Sequence, residues 1–190
     1  YKTLTKSYIP ILTLMKICII SDIHGLTEWK NIINKERGNV DRFIFLGDYV
    51  DDKHSLISPE EQLENLHSIL DFKEEYTNVD LLIGNHDLQY IGGVRSNRFT
   101  QRLSDLIQDE LIVLIREKTI QACVCYDNYL FSHAGVSRIW MREKGMQHYT
   151  DINNLFQTYP LVLDFVNKIN SDAAGKSCQY SSRSLHVFYF

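Results

Sequence analysis

Arg42-Phe43-Ile44-Phe45-Leu46-Gly47-Asp48-Tyr49-Val50-Asp51 is the stretch that decides the fold. Phe43 to Leu46 is an apolar run with no 3.6-residue stripe, the mark of a strand buried on both faces, and it stops at a glycine followed by two carboxylates. The same pattern stands on either side. Upstream, Lys16-Ile17-Cys18-Ile19-Ile20 runs into Ser21-Asp22-Ile23-His24-Gly25, and downstream, residues 79–83 run into Gly84-Asn85-His86-Asp87. Helical segments separate the strands. The first covers residues 26–37 and stops at Gly38-Asn39. The second opens at Ser58-Pro59-Glu60-Glu61, with an N-cap, a proline at the first helical position and acidic residues in the first turn. It runs to about Tyr76, with Leu63, Leu66, His67 and Leu70 along one face. The alternation β-α-β-α-β predicts an α/β fold with a parallel sheet covered by helices.

The second half is expected to contain a helix over residues 99–108 and strands over 111–115, 119–126 and 129–132, with Asp127-Asn128 in a tight hairpin turn. A last helical stretch spans 151–169, kinked or broken at Pro160, and residues 171–183 have a loop composition.

The 190 residues are 44% hydrophobic and 23% charged, which argues against disorder, a collagen-like repeat or a disulfide miniprotein. A net charge of −4 with no Lys/Arg run disfavours nucleic acid held by bulk electrostatics but not a small phosphorylated ligand. Cys18, Cys123, Cys125 and Cys178 have neither zinc-site spacing nor the density of a disulfide framework, so a reduced cytoplasmic chain is expected. Residues 9–20 are broken by Pro10 and Lys16 and are too short to span a bilayer; a signal-peptide cleavage there would remove the first strand. No membrane association is expected. Met15-Lys16 directly precedes that strand, so residues 1–14 read as an extension and residues 15–190 as a single domain.

Parallel strands bring their C-terminal ends together, and ligands of open α/β sheets gather at that edge. Three polar clusters therefore converge, with Ser132-His133-Ala134-Gly135 as a fourth candidate. Carboxylates, imidazoles and an amide oxygen suit manganese, iron, zinc or magnesium better than a thiolate-loving ion. Two such ions roughly 3.5–4 Å apart can hold a nucleophilic hydroxide and clamp an oxyanion in an in-line displacement, which points to phosphoester hydrolysis.

Asp-x-His-Gly, Gly-Asp-x-x-Asp, Gly-Asn-His-Asp and a histidine followed by small residues, in this order from about Met15 to Arg138, resemble the calcineurin-like metallophosphoesterases, and within them the phosphoprotein phosphatases and diadenosine tetraphosphate hydrolases. The resemblance implies an α/β sandwich of two mixed sheets flanked by helices. It implies Asp22 and His24 on a first divalent metal, Asp48 bridging, and Asn85 and His133 on a second. Manganese is the first choice of ion, with iron, zinc, nickel or magnesium as alternatives. A metal-bridged hydroxide would attack, His86 would protonate the leaving group, and Asp51 would orient His86. The substrate would be a phosphorylated small molecule, a nucleotide or a phosphoprotein.

The chain departs from the family in two places. Asp52-Lys53 stands where phosphoprotein phosphatases continue with Arg-Gly, and Asp87-Leu88-Gln89 lacks their following arginine; Leu88 is instead similar to the dinucleotide hydrolases. A glycine-histidine segment expected downstream of His133 is absent, since His148 and His186 lie in other contexts. The second sheet is therefore expected to be incomplete, with weakened turnover and an exposed edge at which copies could associate. The alternatives are a nucleotide pyrophosphohydrolase of the diadenosine tetraphosphatase type or a degenerate, non-catalytic metal- or phosphate-binding domain. Other residues have plainer readings. Cys123 and Cys125 read as small core residues, His67 as a helix flank, and His54 and His148 as loop residues. Arg95 and Arg98 read as solvated loop charges, although either could grip a phosphate bidentately.

Overall fold

In the computed structural model, which describes residues 15–54, 56–158 and 188–189, the three apolar runs are neighbouring parallel strands: β1 (Ile17–Ile20), β2 (Arg42–Phe45) and β3 (Val79–Leu82). Ile20 pairs with Phe45 and Phe45 with Leu81, so the loops that follow leave the sheet at one level. The crossovers that parallel pairing requires are α1 (Trp29–Glu36) and α2 (Pro59–Glu75). Ser58 starts α2 as expected: its Oγ accepts from Glu61 N at 3.2 Å and Glu61 Oε2 accepts from Ser58 N at 2.8 Å.

Both faces of the sheet are covered, which is why its strands lack alternation. Phe43, Phe45 and Leu81 pack with Leu66, Ile69 and Phe72 of α2, while Ile44, Leu46 and Leu82 pack with Val124 and Phe131 of a second sheet. Gln62 and Asn65 are also buried in α2, whereas Leu63 and Leu70 are half-buried and His67 is exposed, paired with Glu110 at 3.0 Å. The inward face is thus rotated from the one predicted. Two polar residues belong to it because each meets hydrogen-bonding partners inside: Asn65 Oδ1 accepts from Trp29 Nε1 at 3.0 Å, and Gln62 reaches the loop after β2.

Beyond α3 (Asn85–Leu88) and a 3-10 turn at Gln89–Ile91, α4 runs over Gln101–Arg116. Residues 111–115 are therefore its last turns and not a strand. Leu103, Ile107, Leu111 and Ile115 repeat every four residues and are all buried, so the apolar run completes a helical stripe. The predicted strand at 119–126 divides in two. β4 (Ile120–Gln121) is the fourth parallel strand, next to β3, and β5 (Cys123–Tyr126) begins the second sheet. β5 pairs antiparallel with β6 (Tyr129–Ser132) across Asp127 and Asn128, whose φ values of 48° and 67° are those of the predicted tight hairpin.

Two short helices follow, the unpredicted α5 (Arg138–Glu143) and α6 (Tyr149–Gln157), the latter capped by His148. Phe188–Tyr189 forms β7, antiparallel to β6. The expectations for Pro160, residues 171–183 and His186 lie outside the described residues. Among the described residues, no helix is long and apolar enough to cross a membrane.

The reassignment of residues 111–115 is open to measurement. Leu111→Ala, at a site 1% exposed, should cost about 2–5 kcal/mol in urea unfolding. Val113→Ala, at 47% exposure on the outer face of α4, should stay within about 0.5 kcal/mol, because alanine is the better helix former. A strand would penalise both.

Candidate active site

The loops after β1, β2 and β3 are stitched together by backbone before any chemistry is added. His24 N donates to Asp48 O at 2.7 Å and Gly25 N to Tyr49 O at 2.8 Å. Gly47 and Gly84 touch: a Cβ on Gly47 would lie 2.2 Å from Gly84 N, and one on Gly84 would lie 2.2 Å from both Asp48 N and Asp48 Oδ1. Asp87, fully buried, accepts from Asp48 N and Tyr49 N at 2.8 Å each and from Gly84 N at 2.9 Å. Burial and the neighbouring Asp48 carboxylate push the Asp87 carboxyl up, against the pull of these three donors. Asp22, His24, Asp48 and Asp51 have φ of 54°, 48°, 58° and 76°, left-handed conformations of the kind that concentrate at functional sites.

These constraints bring the predicted ligands together. Donor atoms of Asp22, His24 and Asp48 lie within 4.8 Å of one another. Asp48 Oδ2 is 3.6 Å from His24 Nε2 and 3.5 Å from His133 Nε2, and His133 Nε2 is 2.9 Å from Asn85 Oδ1. His24 Nδ1 lies 3.1 Å from Val50 O and His133 Nδ1 3.0 Å from Leu46 O. A carbonyl only accepts, so each ring carries a proton on Nδ1 and turns Nε2 to the carboxylates. Hydrogen bonding with His24 holds the Asp22 carboxyl far below the usual carboxylate range despite partial burial. Two donor groups that share Asp48, built from carboxylate, imidazole and amide oxygen, fit divalent cations of the harder kind.

His86 and Asp51 form a second unit beside the first. His86 Nδ1 lies 2.7 Å from Asp51 Oδ2, and His86 N donates to Asp48 Oδ1 at 2.9 Å, tying this imidazole to the shared carboxylate. Asp51 also accepts from Gln89 Nε2, from Tyr90 OH and from Ser96 Oγ. Burial alone would raise the Asp51 carboxyl, but the hydrogen bonds from His86, Tyr90 and Gln89 outweigh it and hold the group below the ordinary range. Gln62 Oε1 fixes the backbone of the same loop, accepting from Asp51 N at 2.7 Å and Asp52 N at 3.2 Å.

Several of these roles escaped the sequence reading. Asp87, Gln89, Tyr90 and Gln62 act through partners between 10 and 39 residues away. Gln62 had one signal, a polar residue in register with buried Leu66 and Ile69. Asp52 faces its own loop, accepting from the backbone of His54, Leu56 and Ile57. Arg98 is not a solvated loop charge: it is partly buried, with Nη1 3.1 Å from Asp51 O and Nη2 2.7 Å from His86 Nε2. Arg95 is exposed and lies over the Phe99 ring at 4.0 Å. Cys123 is core, as expected.

A layered α/β fold with a carboxylate and imidazole cluster at its strand ends is a scaffold able to hold divalent cations. Residues 15–184 match the protein-family model "Calcineurin-like phosphoesterase", and the chain belongs to that family. Among solved structures it is similar to a metallophosphoesterase from Sphaerobacter thermophilus, at 24% identity and a TM-score of 0.38, covering 60% of this chain and 44% of that one. The chain thus spans less than half the length of that protein. No curated protein matches it.

Two measurements check the geometry. Manganese at about 100 times its dissociation constant should stabilise the protein by about 2.7 kcal/mol in thermal unfolding, and Asp48→Asn, which keeps shape and tolerates the left-handed backbone, should abolish the shift. Gly84→Ala should cost about 1–3 kcal/mol or more, because its methyl group meets backbone rather than a yielding side chain.

Proposed function

We propose that the chain hydrolyses phosphoesters by in-line displacement, with His86 protonating the leaving oxygen and Asp51 positioning His86. The observation that carries this reading is the adjacency of the two units: the His86 ring lies 5.1 Å from the His24 ring, centroid to centroid. Asp22, His24 and Asp48 would hold one divalent cation, and Asp48, Asn85 and His133 a second, with manganese the first choice for so oxygen-rich a donor set. Such cations, when bound, supply Lewis acidity and a water that ionises near neutral pH.

The protein's own groups do the rest. Asp51, held ionised by its donors, fixes His86 Nδ1 as the buried, hydrogen-bonded nitrogen and leaves Nε2 to face the reacting group. The same carboxylate stabilises the imidazolium from which a proton passes to the departing alkoxide. His86 N, bound to Asp48 Oδ1, keeps this acid at a fixed distance from the cluster.

Shape and charge narrow the substrate. A cleft of about 360 Å³ adjoins Asp51, with Asp52, Glu61 and a single cation, Arg98, among its walls, and a second of about 400 Å³ has Glu28, Glu61 and Glu64 against Lys30, so both are net acidic. Acidic walls repel polyphosphates and favour a small phosphoester with a neutral or cationic leaving group over a dinucleotide. The non-catalytic reading has no use for the Asp51 cage.

With manganese present, hydrolysis of an alkyl phosphate should fall about 10²–10⁴-fold in kcat in His86→Ala, the usual worth of a general acid. The loss should shrink for p-nitrophenyl phosphate, whose leaving group needs little protonation. Turnover that survives both His86→Ala and Asp48→Asn overturns the assignment.

A further inference from the structure

We propose that Arg98 grips the substrate's phosphoryl group and thereby selects phosphate monoesters over diesters, an inference that rests on the hydrolase reading above. The placement is specific. One guanidinium nitrogen, Nη1, donates to Asp51 O at 3.1 Å, while Nη2 sits 2.7 Å from His86 Nε2, the nitrogen that must meet the leaving oxygen. The loop that carries it is built on the same hub: Ser96 Oγ lies 3.3 Å from Asp51 Oδ2, Ser96 N donates to Gln89 Oε1 at 2.8 Å, and Arg98 N donates to Ser96 Oγ at 3.1 Å.

The charge of Arg98 is unspent. Arg42 pairs with Asp80 and Arg102 with Glu60, and Arg37 and Arg95 lie over aromatic rings. Arg98 instead meets two uncharged acceptors, with no carboxylate side chain within ion-pairing distance among the described residues. It is also the cationic member of the cleft walled by Asp51, Asp52 and Glu61.

The contact with His86 cannot persist through the reaction. A guanidinium only donates, so His86 Nε2 presents its lone pair to Arg98 and does not carry there the proton it is to deliver. Arg98 must change partner when substrate arrives. Two phosphoryl oxygens match its planar fork, and a monoester dianion offers one more non-bridging oxygen and one more charge than a diester.

The test compares p-nitrophenyl phosphate with bis(p-nitrophenyl) phosphate in the manganese-loaded full chain, together with calorimetric titration by inorganic phosphate. Arg98→Ala should lower kcat/KM for the monoester by about 10- to 100-fold, mainly through KM, and lower that for the diester far less. Phosphate binding should weaken by a similar factor while manganese binding stays at the wild-type level. Arg98→Lys keeps the charge without the fork and should recover only part of the loss. A purely structural Arg98, acting through Asp51 and His86, would instead cut kcat equally for both esters and leave phosphate affinity unchanged. That result overturns the inference, as does wild-type behaviour in both variants. A wild-type chain that binds manganese yet hydrolyses neither ester nor an alkyl phosphate overturns the hydrolase reading itself.

Discussion

The candidate site depends on one buried carboxyl group that meets backbone only. Asp87 takes three backbone N–H groups from the loops after β2 and β3, those of Asp48, Tyr49 and Gly84. Each such hydrogen bond contributes about 0.5–1.5 kcal/mol, and losing the acceptor would leave three donors unsatisfied in a dry interior. Two loops that would otherwise repel through their acidic residues are thereby held in contact, close enough that only glycine fits at 47 and 84. The neighbourhood of Asp48, His24 and His133 follows from that contact, since Asp48 lies at its centre.

Asp51 organises the second unit in a different way. It gathers donors from His86, Gln89, Tyr90 and Ser96, all on the segment that follows β3, while its own backbone is pinned to α2 by Gln62. A carboxylate with so many donors keeps its charge and its direction, the two properties that the proposed role of His86 requires of its partner. The division of labour is clear: Asp87 fixes where the loops are, and Asp51 fixes how the imidazole points.

What was legible in the sequence was what local pattern encodes. Buried parallel strands show as unbroken apolar runs, the α2 capping box shows at Ser58 and Glu61, and the hairpin shows at Asp127-Asn128. The misread element, 111–115, is an apolar run of strand length whose helical stripe appears only when Leu103 and Ile107 are counted with it. The clusters after β1, β2 and β3 pointed to Asp22, His24, Asp48, Asp51, Asn85 and His86, because parallel order brings such ends to one rim, whereas His133, which follows β6 of the second sheet, and the individual roles rested on the family resemblance. Asp87, Gln62 and Tyr90 were not legible in those roles, and Arg98 was legible only as the second of two readings. Their meaning lies in contacts across 10 to 47 residues, where neither periodicity nor turn chemistry leaves a mark.

The left-handed backbone at Asp22, His24, Asp48 and Asp51 shapes how such a site drifts over generations. Most replacements there remove a metal-ligating or polar group and also the short polar side chain that makes the left-handed conformation tolerable, so they strike folding and the site in one step. Asparagine and glycine are exempt, since both accept that geometry. Asp-to-Asn changes are therefore the low-cost route by which this architecture would shed a cation-binding carboxylate while keeping its shape.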